Sequence, residues 1–165
     1  MIRLRQRLLY LLVIGVSVVA FDQVTKYLIV HFLTHKIVIM PGFADLVVVY
    51  NRGMAFGMLN AGACTLRTAL LAVLNLGVFA VLLAVFVLSK DVTHLTMVSL
   101  CLIMGGAAGN IIDRIRLGYV VDFIDVYVRS AHWPAFNIAD SAITVGAVLL
   151  AIDLLRSGKT KKSQT

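Results

Sequence analysis

The 165-residue sequence contains no glutamate; its eight acids are all aspartate. That removes the H-E-x-x-H signature of zinc peptidases, although His31 and His35 keep the four-residue spacing of a helical metal pair, and no metal is expected. Cysteine is nearly absent. Cys64 and Cys101 give neither a disulfide framework nor a metal-ligand spacing. Cys101 falls inside an apolar run, where a free thiol behaves as a small hydrophobe, and Cys64 has no histidine partner that would make it a nucleophile. No G-x-S-x-G is present, so Ser141 reads as a helix-start residue, and no phosphate loop or other cofactor motif occurs. Neither His94 nor His132 has a partner in the sequence.

Charge is scarce too. Charged residues make up 14% of the chain, against about 25% in soluble domains. What fills the chain is apolar: 61% of residues are hydrophobic, and mean hydropathy is +0.97. Such a chain is a membrane protein with one compact bundle. The net charge of +7 does not indicate nucleic acid, since seven of the fifteen lysines and arginines lie in the tails 1–7 and 156–165. Basic residues beside membrane spans mark the cytoplasmic side and suit an anionic leaflet. Both termini are expected there.

A span needs about 20 mostly apolar residues. The sequence offers four: 8–30, 68–89, 92–112 and 137–155. The first competes with a cleaved signal peptide ending at Val18-Val19-Ala20; with three more spans following, a retained anchor is expected. Between spans, Ile37 to Met40 and Leu46 to Tyr50 are β-branched runs on either side of Pro41-Gly42, which predicts a small sheet at the membrane surface. Residues 118–128 alternate like a strand, and 129–135 read as a loop. Asn75 offers an interhelical hydrogen bond. Gly105 and Gly109, then Ala142 and Gly146, have the small-xxx-small spacing of close helix contacts, and packing alone accounts for those glycines. The expected fold is therefore a mainly α, four-transmembrane-helix bundle with a small sheet, the segments 31–67 and 113–136 lying opposite both termini.

This topology gathers the polar residues of the span ends on one side: Asp22, Lys26, Asn51, Arg52, Asn110, Asp113, Arg114, Asp122, Asn137 and Asp140. Only Asp91 and Asp153 fall at the other. Asp122 and Asp140 are each flanked by apolar residues with no adjacent base, a costly placement that marks function. Two carboxylates held close in a poorly hydrated site share a proton; one can take a proton from water while the other hydrogen-bonds a scissile carbonyl. Asn110, Asn137 and Arg114 would orient them or bind substrate. For Asp113 the plainer expectation is an ion pair with Arg114, Arg116 or Arg129. A proton-coupled transporter would spread its acids through the membrane depth, and a structural subunit would tolerate loss of both aspartates.

Five stretches, in order, resemble the motif set of bacterial lipoprotein signal peptidase (signal peptidase II): Asp22-Gln23-Val24-Thr25-Lys26, Asn51-x-Gly53-x-Ala55-Phe56, Gly105-Gly106-Ala107-x-Gly109-Asn110-x-x-Asp113-Arg114, Val120-Val121-Asp122-Phe123 and Phe136-Asn137-Ile138-Ala139-Asp140-Ser141. Met54 departs from the family's usual alanine, and Arg52 falls at a variable position. The resemblance implies a monomeric inner-membrane aspartyl endopeptidase that removes the signal peptide of diacylglyceryl-modified prolipoproteins just before the lipidated cysteine. It implies a catalytic pair at Asp122 and Asp140. Support or substrate contact would come from Asp22, Lys26, Asn51, Gly53, Asn110, Asp113, Arg114, Asn137 and Ala139. It also implies a periplasmic β-cradle, inhibition by globomycin, membrane lipid as surroundings, and no nucleic acid or cofactor.

Overall fold

The computed structural model describes residues 2–52, 77, 79–88 and 92–162, with side chains as far as residue 156. Helix α1 runs Leu4–Phe32 and carries a π-helical turn at Leu11–Gly15. Then come α2 (Phe79–Leu88), α3 (His94–Leu117) and α4 (Ile138–Lys162). The strands are β1 (Ile37–Met40), β2 (Ala44–Asn51), β3 (Val120–Val128) and the two-residue β4 (Ala131–His132), antiparallel neighbours in the order β1-β2-β3-β4.

Local chemistry explains the boundaries. Thr93 starts α3 by accepting the Thr96 N–H at 3.0 Å. Gly118 ends it at φ +78°, a left-handed stop that glycine adopts without strain. Gly42 takes the same φ in the turn between β1 and β2.

Among the described residues three helices are long and apolar enough to cross a bilayer: Leu4–Phe32, His94–Leu117 and Ile138–Arg156. Large apolar side chains on their outer faces, among them Leu12, Val16, Phe21 and Leu154, are 55–63% exposed. Water does not tolerate so much apolar surface on one small protein, whereas lipid does. The chain is therefore a multi-pass membrane protein. Span boundaries differ from the sequence reading mainly at the ends: α1 starts at Leu4 rather than 8, and α3 continues to Leu117 rather than 112. α4 runs on to Lys162, and β4 interrupts the expected 129–135 loop. Of the span expected at 68–89, residues 79–88 are helical; 68–76 lie outside the described residues, as do Asn75, Cys64, Asp91, Met54 and Gly53.

Helix α3 is the centre, packing on α4 and on α1, and glycine sets both approaches. A Cβ on Gly105 would sit 2.8 Å from the Gly15 carbonyl of α1, and one on Gly146 would sit 2.8 Å from the Ser99 carbonyl of α3. At the end bearing the first arginines, Arg7 is buried and donates to the Phe86 carbonyl at 2.7 Å. There Asp153 accepts from the hydroxyls of Thr93 and Thr96, and the Tyr10 hydroxyl meets His94 Nδ1 at 2.8 Å. These contacts tie the helix ends together.

Candidate active site

Two successive N–H groups of β3, those of Phe123 and Ile124, both donate to the Phe136 carbonyl, at 3.0 and 2.8 Å. That bulge-like pairing lays the segment before α4 along β3, and so sets Asn137 beside Asp122. The Asn137 Nδ2 donates to Asp122 Oδ1 at 2.7 Å, to the Val121 carbonyl and to Asn110 Oδ1, each at 3.2 Å. Its Oδ1 accepts from the Asp140 N–H at 2.9 Å, and its own N–H lies 3.3 Å from Asp140 Oδ2. Asn137 thus caps α4 in a reciprocal box with Asp140 while touching both candidate acids. Asp140 stands in the first turn of α4, at the start of the span expected at 137–155.

Further amides complete the first ring of contacts. Asn51 Nδ2, at the end of β2, donates to Asp122 Oδ2 at 2.9 Å. Asn110 Nδ2, on α3, donates to Asp140 Oδ1 at 2.8 Å. Every oxygen of the two carboxylates therefore accepts one N–H. Burial pushes the Asp122 carboxyl up to about 6; the charge of Asp140 adds to that rise, while the bonds from Asn51 and Asn137 oppose it.

Behind this ring lies Lys26. Its side chain is 4% exposed, and its ammonium lies 2.8 Å from Asp22 Oδ2, 2.8 Å from Asp113 Oδ2 and 3.1 Å from Asn110 Oδ1. The Asp22–Lys26 contact is the i,i+4 pair that the sequence spacing allows. The Asp113–Lys26 contact replaces the arginine partner expected for Asp113. Adjacent residues on a helix do not face each other, so Arg114 points elsewhere, and its guanidinium donates to the Asn110 carbonyl at 3.3 Å. Asp22 Oδ1 also accepts the Ala139 N–H at 2.9 Å, which locks α1 to the start of α4. Gly109 makes room for it: a Cβ there would meet Asp22 Oδ2 at 2.7 Å. Helix packing alone does not account for that glycine.

Asp22, Lys26, Asn51, Asn110, Asp113, Asp122, Asn137, Ala139 and Asp140 thus belong to one hydrogen-bonded network drawn from α1, β2, α3, β3 and α4. Arg114 borders it, and Arg52 is exposed. Gln23 was missed by sequence reasoning. Its Nε2 donates to Asp113 Oδ1 at 2.8 Å and reaches Asp22 Oδ2 and the Gly109 carbonyl, each at 3.3 Å. Its offset of three from Lys26 was the available signal. The recess bordering the network is small, about 150 Å³, with Gln23, Lys26, Asp113, Tyr119 and Val121 in its wall.

Other polar groups stand apart. Asp45 and Asp125 face each other across β2 and β3, a like-charge pairing that costs stability unless countered. Lys36 counters it at 2.8 Å from Asp45, and His132 Nδ1 lies 2.9 Å from Asp125 Oδ1. His31 stacks on Tyr27 and bonds its carbonyl at 2.9 Å, while His35 meets the Thr34 hydroxyl. Among the described residues no group of three His, Cys, Asp or Glu side chains could hold a metal ion.

Asn137→Ala should remove the helix cap and three side-chain donations at once. We expect a loss of about 2–4 kcal/mol, read as a lowered thermal midpoint in detergent. Asn137→Ser, which can still cap, should recover part of the stability.

Comparison with known proteins follows the same outline. Residues 14–156 match the family model described as Signal peptidase (SPase) II. The lipoprotein signal peptidase of Paraburkholderia phytofirmans is 44% identical over 148 residues, covering 87% of this chain and 83% of that protein. That of Paraburkholderia phymatum is 46% identical over 146 residues, covering 87% and 86%. A solved chain described as "Bacterial membrane enzyme structure by the in meso method at 2.3 A resolution" superposes with a TM-score of 0.77 at 33% identity, covering 92% of this chain and 90% of that one. With a family model spanning most of the sequence and relatives this similar, the chain belongs to the signal peptidase II family.

Proposed function

We propose that this protein is an aspartic endopeptidase. It removes the signal peptide from diacylglyceryl-modified lipoprotein precursors by cleaving just before the lipidated cysteine, at the periplasmic face of the inner membrane. The observation that carries this reading is the double attachment of Asn137, which bonds Asp122 of β3 with its side chain and Asp140 of α4 with its backbone. Two acids more than fifteen residues apart in sequence thereby share one neighbour. The acids Asp22, Asp113, Asp122 and Asp140 all join one network, which argues against a relay of carboxylates spread through the membrane depth.

The chemistry follows from the two environments. Asp140 lies at a helix N-terminus, where negative charge is favoured, and acts as the base. Asp122, buried and raised to about 6, keeps the proton. Asp140 takes a proton from water as the oxygen attacks the scissile carbonyl, and Asp122 gives its proton to the carbonyl oxygen. On collapse Asp122 recovers that proton, and the one held by Asp140 passes to the departing amine of the cysteine. Acyl chains in lipid position the bond, each buried CH₂ contributing about 0.8 kcal/mol.

The test compares a lipidated with a non-lipidated precursor peptide, each with and without globomycin. Cleavage of the lipidated peptide alone, blocked by the inhibitor, is the expected result; equal cleavage of both removes lipid as a determinant. The pH dependence is a separate prediction. A required proton on Asp122 places an alkaline limb of kcat/KM near pH 6 in the free enzyme. That limb should move upward in kcat, because bound substrate excludes more water.

A further inference from the structure

The arginine-bearing end of the bundle holds two recesses on either side of one face of α1. One, about 360 Å³, opens between α1 and the start of α3, with Gln6, Leu9, Tyr10, Val13, Ile14 and His94 in its wall. The other, about 920 Å³, runs along α1 from Arg3 and Arg5 past Leu8 and Leu12, and shares Gln6 and Leu9 with the first. Sixteen residues of α3 separate His94 from Asn110, so this end lies roughly 24 Å from the Asp122–Asp140 network.

The larger recess has a cationic, polar rim of Arg3, Arg5 and Gln6 and an aliphatic wall one to two helical turns deeper; the smaller shares Gln6 and Leu9 with it and is otherwise lined by Tyr10, Val13, Ile14 and His94. Leu9, Leu12 and Val13 are 56–63% exposed. In a membrane such faces are covered by acyl chains, and the rim decides which lipid supplies them. Arg3 and Arg5 are exposed and form no ion pair among the described residues. Arg7 is different, being turned inward onto the Ile2 and Phe86 carbonyls. Asp153 accepts from the hydroxyls of Thr93 and Thr96 and forms no ion pair with Arg3 or Arg5 among the described residues. Gln6 Oε1 accepts the Arg3 N–H at 2.9 Å, which leaves its Nε2 to donate outward.

We propose that the paired recesses bind one anionic diacyl phospholipid of the adjacent leaflet, its phosphate held by Arg3, Arg5 and Gln6 and its two acyl chains passing on either side of Leu9. Basic residues at the end of a membrane helix hold such headgroups by charge and donor geometry. Leu9 is the divider that a two-chain lipid straddles. This ligand is separate from any substrate at the other end of the bundle.

The test uses the full-length protein, delipidated in a neutral detergent. Phosphatidylglycerol and phosphatidylcholine of identical acyl chains are titrated, and the bound fraction is read by native mass spectrometry. Two arginines near one phosphate lead us to expect a preference of roughly thirtyfold for phosphatidylglycerol. Arg3→Gln with Arg5→Gln should bring the two lipids within about threefold of each other. Leu9→Trp, which sets a bulky ring where the two recesses meet while leaving the arginines in place, should release phosphatidylglycerol. Glycerol phosphate, which has the anion but no chains, should not compete. Equal binding of the two lipids by the unmodified protein would overturn the proposal, as would an undiminished preference in the arginine variant. So would unchanged binding in Leu9→Trp, or effective competition by glycerol phosphate. The three side chains are exposed, so folding should survive, and the competition arm needs no variant.

Discussion

Asp122→Asn and Asp140→Asn are each expected to lower the cleavage rate by about 10⁴-fold or more, the scale seen when one member of a catalytic unit is lost. Asparagine keeps the size of the side chain but cannot take a proton from water or hold a shared one. Folding should be retained in both, and at Asp122 the reason is physical. Asp122 accepts one N–H on each oxygen, so an asparagine in its place would lose one of those two bonds. It would also shed a carboxyl whose burial costs free energy once it ionises. A carboxyl held near 6 when folded, and at its lower ordinary value when unfolded, weakens the native state as pH rises through that window. Asp122→Asn should accordingly gain thermal stability relative to the unmodified protein above pH 6, and lose that advantage near pH 4. The gain is bounded at about 3 kcal/mol. An inactive variant that melts higher at pH 8 than the active protein is the combined signature to look for. Cleavage persisting in both variants would remove the two-carboxylate mechanism.

The second large effect concerns Lys26. Its ammonium holds two buried carboxylates at 2.8 Å and points Asn110 so that Nδ2 faces Asp140. Lysine is donor only, so it fixes which end of the Asn110 amide faces which partner. A flipped amide would set oxygen against carboxylate and nitrogen against ammonium. Lys26→Met keeps the length of the side chain but strands Asp22 and Asp113. Breaking a buried ion pair from one side costs about 3–5 kcal/mol, and we expect a fall of that size in stability, with kcat reduced beyond the stability loss. Adding Asp113→Asn to Lys26→Met should restore part of the stability by removing one stranded charge. Unchanged melting in Lys26→Met would show that the ammonium does not support the network.

Much of this arrangement was readable from residues alone, and the unread parts share a cause. Hydropathy marked the membrane helices because lipid imposes a length of apolar sequence, and the β-branched runs around Pro41-Gly42 marked β1 and β2. The Asp22–Lys26 pair follows from helical spacing. By contrast, the partner of Asp113 depends on how α1 and α3 are rotated about their axes, which no local pattern encodes; the neighbouring Arg114 was the obvious candidate and faces away. Gln23 was overlooked for the same reason, since its three acceptors come from α1 and α3. Gly109 looked like a packing residue because spacing reports that a helix comes close, not that a carboxylate occupies the gap. Asp45 and Asp125 went unread because strand register, not sequence, brings them opposite each other. The pairing of Asp122 with Asn137 likewise depends on the contact of β3 with Phe136.

Single-turnover cleavage of a lipidated precursor in ¹⁸O-labelled water tests the central claim most directly. Mass spectrometry of both products would locate the broken bond and trace the entering oxygen. If Asp122 and Asp140 together activate water, the first turnover places one solvent oxygen in the new carboxylate of the signal peptide and none in the lipidated product, with the cut immediately before the modified cysteine. An unlabelled carboxylate, which would have taken its oxygen from the enzyme, or a cut at another bond would contradict the account.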